Sequence, residues 1–276
     1  MIALRSAGTP EVVITGISRS GTSYLCNLLH RFENCVAINE PNKVRFLLQR
    51  EKAPWSLPLF YRDRRRDVLS GTPIKNKLLG GEVVEDTAVY EEHHRYQPEV
   101  AVDDFVLAVK NTREFLLRLE AVRRVLPRAR VVACVRNPLD TIASWKRSFA
   151  HLRDADVTPF TGHPHQMWLS GADREALARI DATADSAERR ARFWRLLADR
   201  VLANRDGVLL VDYDDLVSEP LPVLGRILDG YHSGGLRRPI APSSASDHRH
   251  LLDDDDRRAI QTICTPLATE LGLATE

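Results

Sequence analysis

Val12-Val-Ile-Thr-Gly-Ile-Ser-Arg-Ser-Gly-Thr-Ser-Tyr-Leu25 passes from an apolar run through a glycine-framed loop into a helical pattern. Glu11-Val-Val-Ile-Thr15 reads as a buried strand, and Thr22 to Arg31, with Tyr24, Leu25, Leu28 and Leu29, reads as a helix. Gly16 and Gly21 let backbone N–H groups approach an anion closely, and the helix N-terminus adds partial positive charge. Arg19 brings a full charge, while Ser20, Thr22 and Ser23 bring hydroxyl donors. Together these make a phosphate cradle. The plain alternative is a strand–helix turn with a surface arginine. The loop is not a Walker A motif, because Gly21 is followed by Thr22 where that motif needs a lysine. It suits a phosphate ligand without a metal-bridged γ-phosphate.

Outward from this stretch, further apolar runs alternate with helical ones. Phe105-Val-Leu-Ala-Val-Lys110, Arg130-Val-Val-Ala-Cys-Val135 and Gly207-Val-Leu-Leu-Val-Asp212 read as strands, with Val36-Ala-Ile-Asn39 as a short additional one. Leu116, Leu119, Val122 and Leu126 mark an amphipathic helix over Arg113 to Leu126, ended by Pro127. Pro138 opens another helix, running to about Phe149. Continuous apolar strands alternating with helices predict an α/β fold, a parallel sheet covered by helices on both faces in three α/β/α layers. The stretches at about 41–104 and 152–206 are less regular, apart from an Arg/Ala/Glu-rich helical region reaching about Asn204. With no repeat or linker, the 276 residues read as one domain carrying two insertions.

Composition narrows the classes. With 43% hydrophobic and 28% charged residues, the chain is neither disordered nor collagen-like nor a coiled coil. No apolar run approaches the ~20 residues of a membrane span. Met1-Ile-Ala-Leu-Arg-Ser6 lacks signal-peptide architecture. The 39 Lys+Arg against 38 Asp+Glu leave a net charge of +1, which gives no electrostatic case for nucleic acid. Cys26, Cys35, Cys134 and Cys264 include no CxxC pair, the usage of a reducing cytoplasm rather than of disulfides or zinc.

A second basic site follows the Arg130–Val135 strand. In Arg136-Asn-Pro-Leu-Asp-Thr-Ile-Ala-Ser144, the serine lies just over two helical turns beyond the arginine and returns to the same side. Arg136 and Ser144 can hold a second phosphate. Two anion sites at the carboxyl ends of parallel strands point to a nucleotide with phosphate groups at two positions.

These segments resemble the nucleotide-binding motifs of the sulfotransferases that use 3′-phosphoadenosine 5′-phosphosulfate (PAPS), whose fold is P-loop NTPase-like. Gly16 to Ser23 is similar to the family's loop for the 5′-phosphosulfate, and Arg136-Asn-Pro-x-Asp with Ser144 to its 3′-phosphate site. Val211-Asp-Tyr-Asp-Asp-Leu-Val217 is similar to a third motif, which implies that Tyr213 lies near the adenosine. The Arg-Ser-Gly-Thr wording is closer to the bacterial and Golgi-type branches. The resemblance implies PAPS as co-substrate without a metal, and sulfuryl transfer to a hydroxyl or amine of a small-molecule, carbohydrate or lipid acceptor.

It also implies catalytic roles. Glu40, after the Val36–Asn39 strand, resembles the catalytic glutamate of several branches; the competing reading is a surface glutamate in an Asn-Glu-Pro-Asn turn. Lys110 resembles the lysine of a Lys-x-Pro segment, although Thr112 stands in the proline's place; otherwise it is a solvated strand end. Arg19 is expected to bind the 5′-phosphosulfate. The alternative function is an NTP-dependent small-molecule kinase with a degenerate P-loop, for which Leu209-Leu-Val-Asp212 imitates a Walker B strand. A non-catalytic nucleotide-sensing protein is the third reading.

Lesser features have plainer readings. Glu91-Glu-His-His94 reads as a solvated loop, and His248 and His250 lack a third ligand. Arg62 to Arg66 reads as a solvated face, or as a cleft rim that would favour an anionic acceptor. Asp253 to Asp256 read as a helix N-cap. Ser243-Ser244 with Arg249 sit where the family closes a loop over the 3′-phosphate.

Overall fold

The computed structural model describes residues 10–50, 54–88, 90, 92–157, 169–245 and 247–275. The Met1–Ser6 segment, Glu91, Pro159, His163, Pro164, His165 and Trp168 lie outside the described residues. The first elements are β1 (Glu11–Gly16), α1 (Thr22–His30), β2 (Cys35–Asn39), α2 (Asn42–Arg50), α3 (Leu57–Leu69), β3 (Ile74–Leu79), β4 (Glu82–Val83), β5 (His93–Tyr96) and β6 (Val106–Lys110). There follow α4 (Thr112–Leu117), α5 (Leu119–Val125), β7 (Arg130–Val135), α6 (Pro138–Arg147), α7 (Ala150–Arg153), α8 (Gly171–Asp181) and α9 (Ser186–Leu202). The chain ends through β8 (Leu209–Asp212), α10 (Tyr213–Ser218), α11 (Pro220–Leu228), α12 (Asp254–Ala259), a π-helical turn at Ile260–Cys264 and α13 (Thr265–Glu270).

Five strands form a parallel sheet in the order β2-β6-β1-β7-β8. Alternate side chains of each strand point to opposite faces, and both faces are apolar. Val13, Ile38, Val109, Val131 and Ala133 face one layer, which contains Phe115, Trp145, Phe193 and Trp194. Val12, Ile14, Ala37, Ala108 and Cys134 face the other, built from Leu25, Leu28 and Leu29 of α1 and Leu224 and Ile227 of α11. The three-layer α/β architecture follows from this two-sided burial. Leu28 is fully buried, so truncating it to Ala would cost about 2–5 kcal/mol.

Residues 74–96 hold a second, antiparallel sheet in the order β4-β3-β5, where the sequence showed no regular pattern. Asn76 attaches it to the edge of the main sheet. Its side chain donates to the Ala37 carbonyl at 2.8 Å and accepts from the Asn39 N–H at 2.8 Å, continuing the ladder of β2. An otherwise open sheet edge is thereby paired.

Two helical readings need correction. The helix expected over Arg113 to Leu126 is broken at Arg118, which leaves the helical region (φ −121°, ψ 20°). Arg118 is buried and its guanidinium is drawn to the Leu48 carbonyl. The region up to Asn204 is two helices, because the side chain of Asp185 accepts from the Glu188 N–H and starts α9 afresh. The arginine run also departs from a wholly solvated face. Arg65 is buried and donates to the carbonyls of Pro10, Asp103 and Phe105, and none of Arg62 to Arg66 lines the main cleft. Asp253 does cap α12, in a reciprocal capping box with Asp256.

Candidate active site

The carboxyl ends of the parallel strands open into a cleft of about 980 Å³. The strand order sets out its contents from one side to the other: Glu40 after β2, Lys110 ending β6, the glycine loop after β1, Arg136 after β7 and Tyr213 after β8. Open α/β sheets bind ligands at this end of their strands.

Close approach by backbone at one position and by a side chain at the other explains the loop's glycines. A Cβ on Gly16 (φ 145°) would lie 2.1 Å from the Cys134 carbonyl oxygen, and one on Gly21 (φ 81°) would lie 2.4 Å from Cδ2 of Tyr213. Trp145 Nε1–H donates to the Ser18 carbonyl at 2.8 Å, tying α6 to the loop. Gly21 precedes α1 with no side-chain cap, and the first turn of α1 holds no acidic residue. The uncapped N–H groups and dipole of this nine-residue helix suit an anion. Thr22 and Thr112 share a hydroxyl hydrogen bond of 3.1 Å, and Thr15 Oγ1–H donates to the Thr112 carbonyl at 2.6 Å. Ser20 differs from its neighbours: it is fully buried, stands off the cleft lining and has no partner for its Oγ among the described residues.

Arg19, Ser144, Arg136 and Tyr213 all line the cleft, but Ser144 contacts Arg19 rather than the Arg136 with which the sequence reading pairs it. Arg19 has φ 71°, a strained backbone for a non-glycine residue, and its Nε–H donates to Ser144 Oγ at 3.2 Å. The Arg136 guanidinium stacks 4.4 Å from the centroid of the Tyr213 ring. Burial raises the Tyr213 hydroxyl above its usual range, against the opposing charge of Arg136. Ser243 lines the cleft, but Arg249 is turned to α6, where Asp140 receives it at 2.8 and 2.9 Å.

Glu40 and Lys110 also meet. Lys110 Nζ donates to Glu40 Oε1 at 2.6 Å and to Ser23 Oγ at 3.0 Å. Lys110 is a buried residue rather than a solvated strand end. Glu40 sits at φ 47°, a second strained position. Burial pushes its carboxyl up, but the charges and hydrogen bonds of Lys110 and Lys77 outweigh this and hold it well below the usual carboxylate range.

Sequence reasoning missed three participants, all from residues 74–96. Lys77 Nζ donates to Glu40 Oε2 at 2.7 Å, and His93 Nε2–H donates to the Glu40 carbonyl at 3.1 Å. Asp86 receives the Arg19 guanidinium in a two-pronged pair at 2.6 and 2.8 Å. Ile74-Lys-Asn-Lys-Leu78 carries three polar residues in a row, so no apolar alternation marked the strand that carries Lys77.

Other readings can be placed too. All four cysteines are free and buried, and burial pushes the Cys26 and Cys134 thiols up to about 12. Among the described residues no cluster of three or more His, Cys, Asp or Glu could hold a metal, and no helix is long and apolar enough to cross a membrane. His94 stacks on Tyr90, and His248 contacts Arg147 at 2.5 Å. Asp212, the would-be Walker B carboxylate, accepts from the Asp214 N–H at 3.0 Å as the N-cap of α10.

A model of the sulfotransferase family matches residues 10–232, from the first strand past the last motif. The chain belongs to the sulfotransferase family. Solved sulfotransferases align along most of the chain at low identity. The enzyme from Alicyclobacillus acidocaldarius is 15% identical, with 96% of this chain and 95% of that one covered and a TM-score of 0.49. Sulfotransferase STF9 from Mycobacterium avium is 13% identical, with 98% and 79% covered and a TM-score of 0.48. No curated relative matches the sequence.

Proposed function

We propose that this sulfotransferase moves a sulfuryl group from PAPS to a hydroxyl or amine of a small-molecule, carbohydrate or lipid acceptor. One observation carries the reading. Two cations, Arg19 beside the start of α1 and hydrogen-bonded to Ser144, and Arg136 stacked on Tyr213, share a cleft with a Lys110–Glu40 pair that also contacts the first turn of α1. The crowded contact of Tyr213 with Gly21 leaves room for backbone but not for a side chain, which fits a planar base and phosphate packed against the loop.

In this reading Arg19, Ser20, Gly21, Thr22 and Ser23 form the 5′-phosphosulfate loop, with Ser20 contributing its backbone. Arg136 and Ser144 hold the 3′-phosphate, and Tyr213 packs near the adenosine. Glu40 Oε1 takes the acceptor's proton as the acceptor oxygen or nitrogen bonds to sulfur. The bond from sulfur to the 5′-phosphate oxygen breaks in line, and the electron pair leaves with the nucleotide. Arg19 and Lys110 stabilise the charge that gathers on that oxygen, the role preorganised cations play in the analogous phosphoryl transfers. The whole chain is read as one domain, with the acceptor side shaped by the insertions at about 41–104 and 152–206.

Titration with 3′-phosphoadenosine 5′-phosphate and with ATP/Mg²⁺ tests the assignment. Tight binding of the bisphosphate that survives EDTA is expected. Preference for ATP with Mg²⁺ would move the protein to the kinase reading, against which the capping role of Asp212 already counts.

A further inference from the structure

Glu40 presents a problem for a base. Both of its oxygens are taken, Oε1 by Lys110 at 2.6 Å and Oε2 by Lys77 at 2.7 Å. A carboxylate held by two ammonium groups accepts a proton poorly. One lysine must leave before the chemistry, and the fold distinguishes the two.

Lys110 is already shared. Its Nζ bridges Glu40 and Ser23, and Ser23 lies in the first turn of α1, where the sulfuryl donor's 5′ end is read to bind. A strong anion arriving there competes directly for this ammonium. Lys77 is anchored to the base instead. The Asn76 side chain accepts from the N–H groups of both Lys77 (2.9 Å) and Asn39 (2.8 Å), locking β3 to the strand that ends just before Glu40. The Lys77 side chain is only 6% exposed, so its ammonium has little freedom to turn elsewhere.

We propose that Lys77 is a positioning residue that holds Glu40 by Oε2 while Lys110 passes from Oε1 to the donor, freeing Oε1 for the acceptor's proton. The proposal rests on the sulfuryl-transfer reading and adds a division of labour between two lysines. The other groups around Glu40 do not substitute for Lys77. His93 is spent on the Glu40 carbonyl, and burial with the nearby Lys77 charge lowers its basicity. Arg45 of α2 lies in the same cleft but is drawn to Glu114 at 3.5 Å. Cys26 of α1 is a buried neutral thiol.

The test follows the Glu40 carboxyl by ¹³C NMR in the full chain, with Glu40→Gln assigning its resonance. Titrations are run free and saturated with 3′-phosphoadenosine 5′-phosphate, in wild type, Lys77→Gln, Lys77→Met and Lys77→Arg. In free Lys77→Gln, Lys110 still keeps the midpoint below the ordinary glutamate value. The nucleotide should then remove the last cation and raise the midpoint by about 1–3 pH units. In wild type and Lys77→Arg the bound-state midpoint should stay low. A residue that served only to brace the fold would change nucleotide affinity without this nucleotide-dependent jump. Bound nucleotide with no such jump in Lys77→Gln or Lys77→Met overturns this proposal alone. Failure of the nucleotide to bind wild type overturns the donor reading and this proposal with it. Using Gln and Met in parallel keeps the experiment decisive if one variant does not fold.

Discussion

The Arg19 guanidinium grips both carboxylate oxygens of Asp86, at 2.6 and 2.8 Å, so the residue assigned to the donor's phosphate is already engaged by an anion. Burial pushes the Asp86 carboxyl up, but Arg19 more than offsets this and holds it below its usual range. A carboxylate in a bidentate pair mimics a phosphate and must be displaced by one. Asp86→Asn keeps an acceptor for the Ala88 N–H while removing the charge. Because the pair is partly exposed, the expected gain is modest, about two- to fivefold tighter bisphosphate binding by calorimetry at fixed salt. Equal or weaker binding would remove Asp86 as a competitor.

Glu40→Gln is expected to separate binding from turnover. Loss of the base should reduce kcat by about 10²–10⁴-fold. Bisphosphate affinity should rise, because Lys110 no longer has Glu40 to hold it. A mutant that binds more weakly and turns over normally would contradict both roles.

The same substitution makes a prediction about acid stability. The folded-state Glu40 carboxyl is held below its unfolded value of about 4.3, so the folded protein binds fewer protons at this site. Its contribution is therefore fully present above that value and is lost as pH falls toward the folded one. Removing Glu40 also strands two buried ammonium groups, Lys110 and Lys77. The melting temperature of Glu40→Gln should lie below wild type by several degrees at pH 7, and the gap should narrow below about pH 4. A gap that widens in acid would reverse the sign of this argument.

Half of this site was legible because its charges stand at the ends of local patterns. Arg19, Lys110 and Arg136 each follow an apolar run short enough to be a strand, and parallel strands deliver such residues to one end of a sheet. Lys77 and Asp86 had no such marker. Lys77 is buried only because Asn76 binds Ala37 and Asn39, some 37 to 39 residues earlier, and a non-local pairing leaves no period in the sequence. The break at Arg118 was illegible for the same reason, since the carbonyl that attracts it belongs to Leu48.

Gly21 and Tyr213 should behave as a coupled pair. Gly21→Ala places a Cβ 2.4 Å from Cδ2 of Tyr213 and also strains a φ of 81°. The ring must shift, which disturbs its stacking with Arg136, so bisphosphate affinity should drop about tenfold or more. Tyr213→Ala removes the clash together with the stacking on Arg136. The double variant should then lose less than the two single losses combined, with a coupling of about 0.5–3 kcal/mol. Strict additivity would show that the ring does not act through the loop.

Asp256 offers the converse, a charge whose removal should damage the fold and spare the site. Its carboxylate is fully buried between Lys146, at 2.5 Å, and Arg190, at 2.5 and 3.0 Å. Lys146 lies two residues beyond Ser144 on α6, about 200° around the helix, so one faces Asp256 while the other faces the cleft. Asp256→Ala leaves the buried Arg190 without its anion and Lys146 with Asp253 alone, at a cost of about 3–5 kcal/mol, and should lower the urea midpoint accordingly. Bisphosphate affinity of the folded protein should change little, because Ser144 and Trp145 keep their contacts with the phosphate loop. A variant of normal stability, or one that loses nucleotide binding while fully folded, would show that the two faces of α6 are not independent.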